Sequence, residues 1–412
     1  MRFFSSGSVA EPDTLLKEVQ CLPAGHTLDW KAGAVECRGY WQPSFGSDAM
    51  ELGEAVSLTR AALLDSVQHH FVSDVPVGVF LSGGIDSTVL AALALKTGVQ
   101  DLRTFSIGVD DAALDESDIA ARTAQHLGTR HHVLKLNAQR AAESFPRFLS
   151  HMDQPSIDGF NTFTVAGFAR EQGMKVVLSG LGGDELFGGY PSFQKVPQLA
   201  KWARRATAVP RVGGLVGNVM ERTMPRLPLR RVGSLLQQDP TLLNSWRAFR
   251  GLFTRRDARA LAARYAGCRE RDVMEPRDLA LPPGTDLDQV SACELTLYMR
   301  NQLLKDSDVM SMAHGLELRV PLVDRVLFEA VSRISSSLRL RVGKQLLLEA
   351  VPEVPSWVAH QAKRGFLFPY EKWLGPDWGA DFAAVSARIP DAKPTWYQRW
   401  SMFMLERWLE KR

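Results

Sequence analysis

The sequence predicts an α/β protein, a doubly wound parallel sheet with helical additions toward the C-terminus. Three observations carry this expectation. Between about residues 75 and 180, short apolar runs alternate with helical segments of ten or so residues, the pattern of a parallel sheet. The run VPVGVFLS (75–82) is almost continuously apolar, as a strand buried on both faces requires. Two glycine-rich bends that carry acids, SGGIDS (82–87) and SGLGGDE (179–185), each close such a run, and doubly wound sheets hold ligands beyond the carboxyl ends of their strands.

The elements follow in order. Residues 1–45 read as a fragment, in which LPAGHTLDWKAGAVECRGYW suggests two short strands turning at Lys31-Ala32-Gly33. A lone hairpin is marginal in water, so this piece has to dock on something. Residues 51–70 have helical spacing, with Ala55, Leu58, Ala62, Leu63 and Val67 on one face. After the strand at 75–82 come a helix (88–96), a strand (LRTFSIG, 102–108), a helix (116–127) and a strand (HHVLKL, 131–136). A helix at 160–171 and a strand at 175–180 (KVVLSG) complete the alternation. From about 195 the pattern turns helical and less regular, and 290–335 and 345–410 are helical again. Between 201 and 235, eight basic residues (Lys201, Arg204, Arg205, Arg211, Arg222, Arg226, Arg230 and Arg231) face one acid, Glu221. This stretch reads either as a solvated insertion or as a docking face for an acidic substrate or partner.

Composition narrows the function classes. The 412 residues carry 49 basic and 46 acidic side chains, a net +3, with 45% apolar and 23% charged residues. That balance excludes a disordered or collagen-like chain, and the length corresponds to about two to three domains. So small a net charge gives no electrostatic basis for binding nucleic acid. Cys21, Cys37, Cys268 and Cys293 form no C-x-x-C pair, which argues against a zinc ribbon or a thioredoxin-like site and fits a reducing compartment. No apolar stretch approaches the ~18 residues of a membrane span, and the first residues lack the long apolar core of a signal peptide. The expected location is the cytoplasm.

The two bends carry the chemistry. In Ser82-Gly83-Gly84-Ile85-Asp86-Ser87, the glycines let the backbone turn tightly, and the following helix start offers free N–H groups and a positive dipole end. Ser82 and Ser87 add hydroxyls, so the motif is a phosphate cradle. No lysine follows the glycines and the spacing is short, so it is not a Walker A loop. Asp86 would repel phosphate unless it held Mg²⁺. In the second bend, Ser179 to Glu185 followed by Leu186-Phe187-Gly188-Gly189-Tyr190, glycine density implies a backbone pressed against a ligand or another loop. Asp184 would supply a second carboxylate at the same sheet end. The plainer reading of both is a glycine turn with a capping or surface acid.

Together the motifs resemble the PP-loop ATP pyrophosphatases and, among them, the synthetase domain of the asparagine synthetase family. The resemblance runs over most of the chain. Phe105-Ser106-Ile107-Gly108 is similar to the family's second strand, Asp115-Glu116-Ser117 to its acidic turn, and Asp153-Gln154-Pro155 to its D-E-P segment with Gln for Glu. Asp308 and residues 311–324 resemble D-x-x-S-M-A-x-x-L-E-x-R-x-P-x-x-D. Lys363-Arg364-Gly365-Phe366, with Pro369 and Trp373, is similar to K-x-G-F-x-x-P-x-x-x-W.

The resemblance implies that 1–45 is a remnant of the end of a class II glutaminase domain and that 46–412 is an ATP-dependent synthetase domain. It implies ATP and Mg²⁺ as cofactors, a small-molecule carboxylate (aspartate, giving asparagine) that is adenylated with release of pyrophosphate, and attack by ammonia. Ser82, Gly83, Gly84, Asp86 and Ser87 would hold the pyrophosphate. Leu81, Ile107, Ser179 and Gly180 would line the nucleotide. Asp86 and Asp184 would ligate Mg²⁺, and Lys363 would neutralise charge on the α-phosphate. Glu317 and Arg319 read as an ion pair fixing the helix turn, or as direct participants.

Two departures qualify this. Glutamine-dependent members carry a Cys after the initiating Met; here Arg2 follows Met1, and Cys21 and Cys37 lie within or beside the hairpin. The chain is therefore not expected to hydrolyse glutamine by itself. Its ammonia would be free, or delivered by a separate glutaminase subunit, or the sequence is cut short. Leu181 stands where the family has an acid. Either Asp158 or Glu185 covers that role, or the carboxylate belongs to a sugar or natural-product pathway. A different class of reading is a non-catalytic partner of a separate amidotransferase, while tRNA thiolation would want a C-x-x-C pair. No nucleic acid or membrane partner is expected, and a homo-oligomer is left open.

Overall fold

The structure is a computed structural model, and it describes residues 1–208, 212–275, 280–361, 368–391 and 393–411. Among these residues the strands are β1 (His26–Lys31), β2 (Ala34–Gly39), β3 (Val77–Phe80), β4 (Arg103–Val109), β5 (Arg130–Leu136), β6 (Val176–Leu178) and β7 (Glu317–Arg319). β1 and β2 form a hairpin; the other five form one sheet in the order β5-β4-β3-β6-β7, every pair parallel.

The predicted doubly wound sheet is therefore present. The chain starts at β3, winds outward through β4 to β5, then crosses back to β6. The strand order thus reverses between β3 and β6, and Val77 pairs with Val176 and Val79 with Leu178. The two strands end nearly flush, so the bends that follow them emerge side by side at the switch point, where such sheets bind ligands.

The continuous apolar runs are explained by burial on two sides. Val79, Leu81 and Leu178 join a core with the helices Leu52–His70 and Ile85–Lys96. Their neighbours Phe80, Phe105 and Val177 turn to the opposite face, against Ala166 and Ala169 of the helix Phe160–Glu171. Alternate residues of a strand face opposite sides, so both layers demand apolar side chains. A third core gathers the helices Ala138–His151, Tyr370–Ser386 and Trp396–Glu410 around Phe145, Phe382, Trp400 and Phe403.

The structure corrects several expectations. The helix expected at 88–96 begins at Ile85, because the hydroxyls of Ser87 and Thr88 both donate to the Gly84 carbonyl (3.2 and 2.8 Å). The helix Ala138–His151 was not read from the sequence; Asn137 caps it by accepting from the Arg140 amide. The region 290–335 is not wholly helical. The left-handed Gly315 follows the helix Lys305–Met312, and Glu317–Arg319 then pairs as an edge strand with β6. Glu317 and Arg319 do form an ion pair at 2.7 Å, but on that strand rather than in a helix turn, and Arg319 also donates to the carbonyls of His70 and Val72. The basic stretch is only partly solvated: Arg230 is half-buried between Asp257 and Asp391, at 2.6 Å from each, and Arg231 donates to the Gly251 carbonyl.

The N-terminal residues dock, but not through the hairpin. Phe3, Phe4 and Val9 are buried in the third core, Ile157 donates to the Gly7 carbonyl, and Trp41 and Phe45 pack on Phe328. Residues of β1 and β2 beyond His26 are exposed throughout. No helix among the described residues is long and apolar enough to cross a membrane.

His131 of β5 bridges two β4 hydroxyls, with Nδ1 2.9 Å from Thr104 Oγ1 and Nε2 3.1 Å from Ser106 Oγ. Burial, reinforced by His132, pushes its pKa down to about 4 from the usual 6.5. Between those values the unfolded chain binds a proton that the folded chain does not, so stability is lost as pH falls from 6.5 toward 4. We expect His131→Gln to remove about 1–2 kcal/mol of that acid-linked loss, allowing for solvent screening of a partly exposed ring. Urea unfolding at pH 7 and pH 4.5 measures it, and equal pH slopes in both proteins would contradict it.

Candidate active site

The bend after β3 runs from Leu81, whose amide donates to the Phe105 carbonyl at 2.8 Å. The Ser82 amide and hydroxyl both meet the Ser87 hydroxyl at 3.1 Å, closing the loop on itself. Asp86 thus sits in the first turn of the helix Ile85–Lys96. The bend after β6 leads into a short helix, Gly183–Phe187, which carries Asp184.

The glycines of the second bend are explained by what they touch. A Cβ at Gly180 would lie 2.8 Å from the Ser87 amide nitrogen and 3.0 Å from the Asp86 carbonyl carbon. One at Gly183 would overlap the Asp86 carboxylate, and one at Gly189 would overlap Asp184 Oδ1 and Lys344 Cε. Hydrogen in place of a side chain is what lets the two bends interlock.

The two carboxylates converge on a single atom. Lys344 Nζ is 2.7 and 2.5 Å from the two Asp86 oxygens and 2.5 Å from Asp184 Oδ1. Lys344 is buried and has a left-handed backbone (φ 58°) after Gly343 (φ 77°), at the start of the helix Gln345–Ala350. A non-glycine residue in that region stores strain, which is retained where the surroundings fix it. The sequence reading missed Lys344. Its only signal was a Gly-Lys pair before a helical run, and nothing local ties that pair to the two bends.

Fixed backbone around these groups opens on a cavity of about 990 Å³. Of the residues expected to bind nucleotide, Leu81, Ser82, Gly84, Asp86, Ser87, Ile107, Ser179 and Gly180 line it, and so does Asp184. Gly83 does not; it packs against Ile119 and Ala120 of the helix Ser117–Leu127. Lys363 lies outside the described residues, as do Arg364, Gly365 and Phe366. Leu181 lines the cavity, so an apolar side chain occupies that wall. The two candidates for its missing acid separate. Asp158 lines the cavity, whereas Glu185 is buried beneath the bend, where the Tyr190 hydroxyl donates to it at 2.8 Å. Burial pushes Glu185 up to about 7, opposed by that hydrogen bond.

Aromatic side chains, among them Tyr190, Trp246 and Tyr298, line the same cavity. Arg250 lies between the rings of Tyr190 and Tyr298, 4.6 and 4.1 Å from their centroids, and pairs with fully buried Glu294 at 2.6 Å. Trp246 donates its indole N–H to the same carboxylate at 2.9 Å. The described lining thus combines the hydroxyls and paired acids of the two bends with aromatic and aliphatic side chains.

Paired acid-bearing bends at the switch point of a parallel sheet define an α/β protein with its ligand crevice beyond β3 and β6. The family model for asparagine synthase matches residues 58–384, and the chain belongs to that family. Asparagine synthetase [glutamine-hydrolyzing] 1 of Bacillus subtilis (strain 168) is 31% identical over 380 residues, covering 90% of this chain and 59% of the relative. Amidase chyE of Penicillium rubens is 27% identical over 423 residues, covering 89% and 61%. Among solved structures, an NH3-dependent NAD synthetase from Campylobacter jejuni matches 56% of this chain and 100% of its own, with 14% identity and a TM-score of 0.26. The chain spans less than two thirds of the length of these curated relatives.

The interlocked bends make a steric prediction. Gly183→Ala forces its methyl into the Asp86 carboxylate and should cost about 1–3 kcal/mol as overpacking does. Gly379→Ala, in the helix Tyr370–Ser386 with nothing within 4 Å of the added atom, should be neutral or stabilising by about 0.5–1 kcal/mol. Thermal unfolding of the two variants tests this, and equal effects would contradict it.

Proposed function

We propose that this chain is an ATP-dependent, amide-forming ligase. It adenylates a carboxylate, releases pyrophosphate and passes the acyl group to a nitrogen nucleophile, as the asparagine synthetase resemblance implies. The observation that carries the reading is the convergence of Asp86 and Asp184 on one cationic atom at the mouth of a phosphate cradle. Family membership supports the reading independently.

The donor set bears on the metal. Among the described residues no three His, Cys, Asp or Glu side chains gather into an all-protein metal site. Mg²⁺, however, is commonly held by one or two carboxylates together with substrate phosphates and water. Asp86 and Asp184, already gripping one cation, fit a metal that arrives with the nucleotide. Bound there, Mg²⁺ would supply neutralisation of charge on the departing pyrophosphate.

The chain's own groups do the rest. The Ser82–Ser87 bend and the helix start behind it would hold the phosphates through backbone N–H groups and hydroxyls. Lys344 would place a compact positive charge where phosphoryl oxygens gather, with electrostatic stabilisation the main contribution. This role resembles the one the sequence reading gave to Lys363, and both lysines belong to the proposal. Leu81, Ile107 and Gly180 would line the nucleotide, and the aromatic and aliphatic lining would keep water from the activated acyl group. Ammonia is the nucleophile implied by the family.

Leu181 favours a second reading of the acid. An apolar side chain there offers nothing to the ammonium or second carboxylate of aspartate, which favours a larger carboxylate, as in a sugar or natural-product pathway.

The test is direct. With ATP, Mg²⁺, ammonium and a panel of carboxylic acids that includes aspartate, the chain should yield AMP and pyrophosphate in equal amounts. Asp86→Ala should lower the rate at least 100-fold, in line with loss of a major electrostatic contribution. Pyrophosphate release with none of the acids would overturn the assignment, and product mass identifies the acid that is amidated.

A further inference from the structure

We infer that the cavity contains a seat for an organic ammonium group, held by the Asp158 carboxylate within walls formed by Tyr298, Tyr370 and Tyr397. All four residues line the same cavity as the paired acids.

Asp158 ends the loop before the helix Phe160–Glu171. Its carboxylate accepts a hydrogen bond from the Gly159 amide at 2.8 Å. Among the described residues it has no ion-pair partner. Behind it lies a second acid, Asp306, which accepts from Ser156 at 2.5 Å and also lacks a paired cation among the described residues. The charge of Asp158 is felt by Asp306, and burial first, then that repulsion, drives the Asp306 carboxyl well upward; burial raises Asp158 as well. Lys305 acts on Asp306 through its charge without pairing with it, and Arg250, which also lines the cavity, is committed to Glu294. Neither acid has an ion-pair partner among the described residues, so burial holds both toward their neutral forms, and an arriving cation would favour the charged carboxylate of Asp158.

The walls say which cation. A desolvated metal ion would want a shell of oxygen ligands that the described residues do not assemble. Aromatic faces suit an ammonium instead. Tyr370 stacks on Trp400 at 4.8 Å, and Trp396 continues the wall 5.7 Å from Trp400. The phenols of Tyr298, Tyr370 and Tyr397 are all raised by burial and next by the Asp158 charge, so all three lie within its reach. No phenol among them donates a hydrogen bond to Asp158, which leaves that carboxylate open to a ligand.

The inference rests on the ligase reading for the fate of the amine. The ammonium belongs either to the acid being activated or to an organic amine that replaces ammonia. In the second case two protons pass to solvent, a C–N bond forms to the acyl carbon, and the C–O bond to AMP breaks.

Phenethylammonium and its neutral counterpart 2-phenylethanol are the probes, with binding to the full chain measured by calorimetry at pH 7 without ATP. We expect the ammonium to bind at least tenfold more tightly than the alcohol, and Asp158→Asn to remove that preference while circular dichroism shows an unchanged fold. Equal binding of the two probes by the unaltered chain overturns the inference and needs no variant. Displacement of the probe by phenylalanine or aspartate, but not by 3-phenylpropionate or succinate, assigns the ammonium to the acid. Incorporation of phenethylamine into an amide, seen by mass, assigns it to the nucleophile. ATP binding, measured separately on the unaltered chain, tells failure of this seat from failure of the ligase reading.

Discussion

The site depends on one contact, the seating of the Asp86 and Asp184 carboxylates around Lys344 Nζ. Each acid belongs to a different crossover of the sheet, and the lysine comes from a helix start far along the chain. Two like charges brought this close are unfavourable alone; a buried ammonium between them turns repulsion into a three-body attachment. The contact therefore joins the two halves of the winding. A second buried pair braces the same bend from below. Fully buried Arg339 reaches Asp288 at 2.6 Å and donates to the Leu186 carbonyl at 2.9 Å, within the short helix that carries Asp184.

Topology makes this contact available. Because the strand order reverses between β3 and β6, the loops that leave their carboxyl ends flank one crevice, where the two bends meet. Sterics then complete it: Gly180, Gly183 and Gly189 each occupy a position where a Cβ would strike a partner in the site. Electrostatic convergence and backbone interlock are two views of one arrangement.

Much of this was legible in the sequence because the determinants are local. A run of apolar residues ending in clustered glycine and acid announces a buried strand and a ligand-facing bend, and SGGIDS and SGLGGDE both do so. What escaped is what depends on distant partners. Lys344 follows a single glycine, and its significance arises only when the fold carries it to the two bends. β7 is three residues long and gains its identity from pairing with β6. Asp158 and Glu185 were equal candidates in the sequence; the fold distinguishes them by turning one into the cavity and the other into the core. Arg230 and Arg231 looked solvated because their acidic and carbonyl partners lie elsewhere in the chain.

The central claim is that Asp86 and Asp184 act as one unit on a single metal–nucleotide complex. A double-mutant cycle tests it most directly, with calorimetry of ATP binding in Mg²⁺ for D86N, D184N and the double variant. The account predicts strong non-additivity, with the second substitution costing far less affinity once the first is present. Fully additive losses would show two independent sites and contradict it.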